Sequence, residues 1–267
     1  MSPGTTPSAG AVGRVGSDHP QSRSRGEQID RFDGLQCPVV YVLLMPKLMY
    51  AVWGERAATV LRASDLRTRL ADAGVVRMQL NLTDDPRLGA APRASVFDPP
   101  VDAVVSIWSG DGADALTPLI GDRVDRVAGW VVDERRSVEP PERWDGSAAP
   151  ELAEITFLRR PDDVPRTEWL RRWLNDYTPA AIDALSLLGE LQSVVVSPLV
   201  PDAPRISAIV EDLYPFSVVG DERIRFRSER PDGWTEQRAA VGYEDNVDVI
   251  PTVRYLDDLR STRSLNR

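Results

Sequence analysis

From Lys47 to Gly54 the side chains alternate, with Leu48, Tyr50 and Val52 on one side and Met49, Ala51 and Trp53 on the other. A period of two predicts a strand. Ala57 to Ala73 changes period: Leu61, Leu66, Leu70 and Ala73 fall roughly on one helical face, and Gly74 is a natural stop. Val75–Leu82 and Asp102–Trp108 read as the next two strands. A short helix over about Asp114–Ile120 and a strand over Arg126–Asp133 complete a βαββαβ order. Residues 138–150, VEPPERWDGSAAP, read as a Pro-rich linker.

After it the pattern restarts. Glu154–Arg159 predicts a strand, and Pro161-Asp162-Asp163 a turn. A helix follows, with Thr167 as its N-cap, running to about Leu188 and stopped by Gly189. Leu191–Leu199 and Ile206–Leu213 predict strands, 215–246 a poorly patterned stretch with a short helix, and Val247–Tyr255 a last strand. The fold class is therefore α+β: two tandem ferredoxin-like (βαββαβ) units, 45–137 and 151–267. A four-stranded sheet covered by helices on one side must bury its other face too. Two such sheets facing each other satisfy both, closing on an internal cavity in a dimeric-α/β-barrel-type fold, within one chain or across a homodimer.

Composition narrows the chemistry. The 267 residues carry a net charge of −9, and an acidic surface repels phosphate backbones, so nucleic acid is not an expected partner. No apolar run reaches the length of a membrane span, and without a targeting signal the default address is cytoplasmic. Residues 1–44 are rich in Ser, Gly, Pro and Arg, and read as a disordered tail or an over-extended start before Met45. The only His, His19, and the only Cys, Cys37, lie in that tail. The body therefore lacks the donors of structural zinc sites and the bases of Ser-His-Asp and Cys-His nucleophiles. No phosphate-binding loop or dinucleotide fingerprint is present, and no cofactor is expected. Carboxylate or tyrosine acid–base work, arginine electrostatics, or no catalysis remain.

One motif carries a resemblance. Phe157-Leu158-Arg159-Arg160-Pro161, then Glu168-Trp169-Leu170 and Trp173-Leu174-Asn175-Asp176-Tyr177-Thr178-Pro179, resembles the EthD-like family of the dimeric α/β-barrel superfamily. The likeness spans about 150–260; ISAIVEDLY (206–214) resembles the family's third strand and VIPTVRYL (249–256) its C-terminal segment. Family members carry a His two residues before the Pro, and this chain has Tyr177 there. The resemblance implies a small soluble barrel associated with oxidoreductases, whose relatives act on polyketide or aromatic rings.

The residues leave enzyme and binding protein both open. As an enzyme, the chain would act without cofactor on a hydrophobic or aromatic oxygenated molecule, with Tyr177 as proton donor and Asp212 as base. Arg159 would clamp the substrate electrostatically, and Trp169, Trp173, Tyr214, Tyr50, Trp53 and Trp108 would line its site. The alternative is a non-catalytic ligand-binding or scaffold protein that has lost the family histidine. Trp169, Trp173, Tyr177 and Ala181 share one helical stripe, which a helix packed on a sheet also requires. Pro179 is expected to disturb that helix one turn back, near Asn175, and to turn Tyr177 toward a cavity mouth. Alternation puts Glu211 and Asp212 on opposite faces of their strand, so only one of them faces any one cavity.

Overall fold

The alternating segments become eight strands: β1 (Lys47–Trp53), β2 (Val75–Leu82), β3 (Ala103–Ser109), β4 (Arg126–Val138), β5 (Asp145–Leu158), β6 (Gly189–Pro198), β7 (Ala208–Tyr214) and β8 (Asp248–Asp258). This computed structural model describes residues 45–264 except 90, 111, 228–229 and 244–246. The histidine, the cysteine and the tail reading of 1–44 lie outside the described residues. All strand pairs are antiparallel, and they close into a barrel in the order β1-β3-β2-β8-β5-β7-β6-β4. Its first half reads β4-β1-β3-β2 around the barrel and its second β8-β5-β7-β6. The fold is an eight-stranded antiparallel α+β barrel, with no described helix long and apolar enough to cross a membrane.

Several elements differ from the sequence expectation. The helix expected over 57–73 is two, α1 (Ala57–Leu61) and α2 (Ser64–Asp72), because Ala63 is extended with ψ 135°. Gly74 at φ +94° ends α2 in the left-handed region that only glycine enters cheaply. The stretch 138–150 is mostly strand rather than linker, since β4 runs to Val138 and β5 starts at Asp145. α3 covers Ala113–Gly121. The long helix is α4 (Arg166–Arg171), a π-helical turn (Arg172–Tyr177) and α5 (Thr178–Ala184). Pro165 takes the N-cap position, so Thr167 is inside α4 and not its cap. Gly189 opens β6 instead of ending the helix. Between β7 and β8 lie two 3-10 turns (Phe216–Val219, Glu222–Arg225) and α6 (Trp234–Ala240); α7 (Arg260–Ser264) follows β8.

Side chains fill three cores. Outside the first half, Leu66, Leu70, Leu116 and Ile120 of the helices cover Leu48, Tyr50, Met78, Leu80, Val105 and Ile107. Outside the second half, Trp169, Trp173 and Trp234 cover Leu152, Leu158, Val210 and Tyr214. The barrel interior, expected as the ligand cavity, is packed at one end by Trp53, Phe97, Trp130, Ile155, Phe157 and Ile250. The Phe97 ring meets Trp53 edge-on at 5.5 Å and Phe157 at 5.3 Å, so the loop before β3 plugs that end. Deeper in, Gln79 donates to both carboxylate oxygens of Glu211 (2.9 and 2.8 Å), Asn81 donates to one at 2.9 Å, and Arg254 pairs with Glu151. These groups are buried and bonded to each other, the condition under which charges survive inside a protein.

Candidate functional site

The cavity lies outside the barrel, between the outer face of β5 and β7 and a cover made of Pro92–Ala94, Tyr177, Leu185 and described residues from Arg225 to Tyr243. It encloses about 410 Å³, within the range of small-molecule pockets. Its walls include Glu154, Thr156, Asp212 and Tyr214 from the strands, Tyr177 from the π turn, and Arg225, Phe226, Arg230, Trp234, Arg238 and Tyr243 from beyond β7.

The π turn sets Tyr177. Pro179 has no N–H, so the regular ladder fails just before it. The Thr178 N–H reaches back five residues to the Trp173 carbonyl, and the Thr178 hydroxyl donates to the same oxygen at 2.9 Å. One residue is thereby absorbed into a wide turn, the kind of bulge found at functional sites. The Tyr177 ring sits 5.1 Å from Tyr243 and 5.7 Å from Trp234. It is 6% exposed, and burial raises its phenol above the ordinary value, against a hydrogen bond and charge from Arg238.

Beneath it three carboxylates form a row across the sheet. On β7 Asp212 stands opposite Glu154 of β5 and Glu190 of β6. Directly opposed residues have Cβ atoms about 4.5–5.5 Å apart. Arg225 neutralises Glu154 with a two-pronged contact at 2.6 and 2.7 Å, and its guanidinium lies 4.6 Å over the Tyr214 ring. Glu190 is 3% exposed and accepts from Gln192 at 3.0 Å. Gln192 also donates to the Thr178 hydroxyl at 2.6 Å, which ties the row to the π turn. Burial pushes the Glu190 carboxyl up from 4.5 to about 7. Asp212 is raised well above the usual carboxylate range, first by burial and then by the charges of Glu190 and Glu154; Arg225 and Arg238 oppose this. Two interacting carboxyls that resist ionisation together hold their protons to higher pH than isolated ones.

The structure brings three of the sequence candidates, Tyr177, Asp212 and Tyr214, to one cavity. The others are elsewhere. Trp169 and Trp173 stack at 5.0 Å in the core behind Tyr177, and Trp169 donates to the Val241 carbonyl. Arg159 pairs with Asp248 at 2.8 Å, and Asp248 also accepts from the Val96 and Phe97 N–H groups, so Arg159 anchors the plugging loop. Tyr50 packs in the first helix–sheet core, bonded to Thr117 at 3.2 Å. A Cβ on Gly129 would come within 2.6 Å of its ring. Trp53 is in the interior plug, donating to the Pro99 carbonyl at 2.8 Å. Trp108 meets Trp144 edge-on, with the Lys47 ammonium 5.0 Å from its ring centre. Glu211 faces the interior and Asp212 the cavity, the opposition that alternation required.

Sequence reasoning missed Glu154, Glu190, Arg225, Arg238 and Tyr243. A signal existed for the two glutamates: each is a charge on a strand at a position that pairs with Asp212. No family model matches the chain, and no curated protein matches it in sequence. Its structure is similar to one described as "Crystal structure study of anthrone oxidase-like protein", with a TM-score of 0.50 and 9% identity over 79% of this chain and 90% of that one. That likeness is one of fold.

Proposed function

We propose that the chain is an EthD-like small-molecule-binding barrel that carries out cofactor-independent acid–base chemistry on an aromatic oxygenated substrate. The observation that carries this is the meeting of Tyr177 and Asp212 in one cavity walled by aromatic rings and arginines. In this reading Asp212, as carboxylate, takes a proton from carbon beside a ring carbonyl. The Tyr177 hydroxyl donates a hydrogen bond to the oxygen where charge develops. A carboxylate that holds its proton to higher pH is the stronger base. Arg238 takes the electrostatic role the sequence assigned to Arg159. The solved neighbour's description as anthrone oxidase-like supports a planar ring ketone as the substrate class.

The repeated strand order, β4-β1-β3-β2 then β8-β5-β7-β6, supports two tandem ferredoxin-like units, 45–137 and 151–267, as an internal pseudo-dimer. We take its compartment as the cytoplasm and its partner as a small molecule, with no role for nucleic acid or membrane. The second reading, a catalytically silent binding protein, is favoured by one observation: burial makes the Tyr177 phenol a weaker acid.

Native mass spectrometry of the gently purified full chain tests for a retained molecule. Turnover of that molecule, and of anthrone, then tests the chemistry. Tyr177→Phe is expected to keep the fold and to lose about a hundredfold in rate. Full activity in this variant removes Tyr177 from the mechanism, and a retained molecule that is never turned over selects the silent binder.

A further inference from the structure

One buried oxygen of the carboxylate row meets no donor. Glu190 is 3% exposed, and its Oε1 accepts from the Gln192 amide at 3.0 Å. Its Oε2 is buried with no hydrogen-bond partner among the described residues. Gln192 cannot supply one, because the other hydrogen of its amide goes to the Thr178 hydroxyl. Across the neighbouring strands Glu190 stands opposite Val138 of β4, whose side chain has nothing to donate, and opposite Asp212 of β7. Arg135 of β4, the cation that acts on it, is exposed. A buried carboxylate oxygen without a donor is costly as an anion. Carrying a proton it becomes a donor itself, and Asp212 is the acceptor beside it.

Asp212 is placed differently. It lines the cavity and feels Arg225 and Arg238. Its proton is held on first by burial, then by the charges of Glu190 and Glu154. Glu154 is paired with Arg225, and the repulsion from Glu190 vanishes when Glu190 is neutral. We propose that Glu190 is the positioning acid of the site: it keeps a proton on Oε2 and donates it in a hydrogen bond to Asp212, which holds Asp212 ionised for its part as base. This rests on the reading of Asp212 as the base. The two carboxyls then share one proton, as interacting pairs do. The phenols of Tyr177 and Tyr243 share the cavity; burial raises both, so they stay neutral while the carboxyls titrate.

Carbon-13 NMR of the full chain, labelled at the aspartate carboxyls, tests this. Loss of a signal in Asp212→Asn identifies that of Asp212. Asp212 is expected to show two steps: a large change at lower pH as it ionises, and a small one at higher pH as Glu190 does. Glu190→Gln keeps a donor but cannot ionise, so a single step near the first is expected. Glu190→Leu removes the donor and is expected to move that step upward by about one pH unit. A glutamate with a merely structural role leaves Asp212 titrating alike in all three proteins, and that result overturns the proposal. So does a large step that falls at the higher pH, which puts the shared proton on Asp212. If Glu190→Leu fails to fold, Glu190→Gln decides, and two steps that persist there overturn the pairing. Two steps that collapse to one, in a protein that turns nothing over, keep the pair and remove only the base.

Discussion

The two helix–sheet layers of this barrel cover matching positions with opposite chemistry. In the first half Ile107 of β3 is flanked by Leu48 of β1 and Met78 of β2. In the second half the corresponding place on β7 is Asp212, flanked by Glu154 and Glu190. A row of three apolar side chains under packed helices is set against a row of three carboxylates, two of which, Glu154 and Asp212, line a cavity. The backbone ladder is antiparallel on both sides, so the sheet does not dictate which half carries the cavity. What differs is the cover. In the first half α2 and α3 lay leucines and an isoleucine on the row. In the second the π turn and the segment around Arg225 and Arg238 supply cations and phenols.

The sharpest way to break this comparison is to move the charge across. Ile107→Asp puts a carboxylate among Leu48 and Met78 with no cation near. It is expected to cost about 3–5 kcal/mol in urea unfolding; a cost below about 1 kcal/mol would mean that the first cover is as permissive as the second. Next in size is Arg225→Gln, which leaves Glu154 beside Asp212 without its pair. A loss of about 2–4 kcal/mol is expected, largely restored by adding Glu154→Gln. If the double variant is no more stable than the single, the pair does not act as a unit.

The third test is pH. The folded Glu190 carboxyl is raised from 4.5 to about 7, so the folded state holds more protons than the unfolded one between those values. Its contribution to stability is fully present below about pH 4.5 and is lost as pH rises through about 7. Glu190→Gln should flatten that fall and leave the variant about 1–3 kcal/mol more stable than wild type at pH 8. Parallel pH profiles for the two proteins would dismiss the carboxyl as the cause. The smallest effect belongs to the first half: Tyr50→Phe loses only the bond to Thr117, about 0.5–1 kcal/mol, and should leave ligand binding unchanged.

Much of the barrel was legible in the chain because strands buried on at least one face alternate. Val75–Leu82 was bounded correctly, since turn residues flank it on both sides. The strands hidden in 138–150 were not legible. Their outer stretches are polar and partly exposed, so they carry no alternation, and the local prolines argued for a linker. Tyr177 and Asp212 were picked by residue type and position and both line the cavity, yet the row that Asp212 belongs to was not legible. Cross-strand neighbours are fixed by register between segments far apart in sequence: Glu154 and Glu190 lie 36 residues apart and meet only through β7. Arg225 and Arg238 come from the stretch with no hydrophobic period, where pattern says nothing about what a side chain touches.

Closure of the sheet has a consequence for assembly. An open sheet presents two outer strands whose free N–H and C=O groups invite pairing with another chain. Here β2 joins β8 and β4 joins β6, so the ladder returns to its start and no described strand is left as an outer one. Among the described residues only the overhanging stretches 133–138 of β4 and 145–151 of β5 are bonded on a single side, so strand-to-strand association of this barrel is confined to them, and any other self-association uses helices or loops.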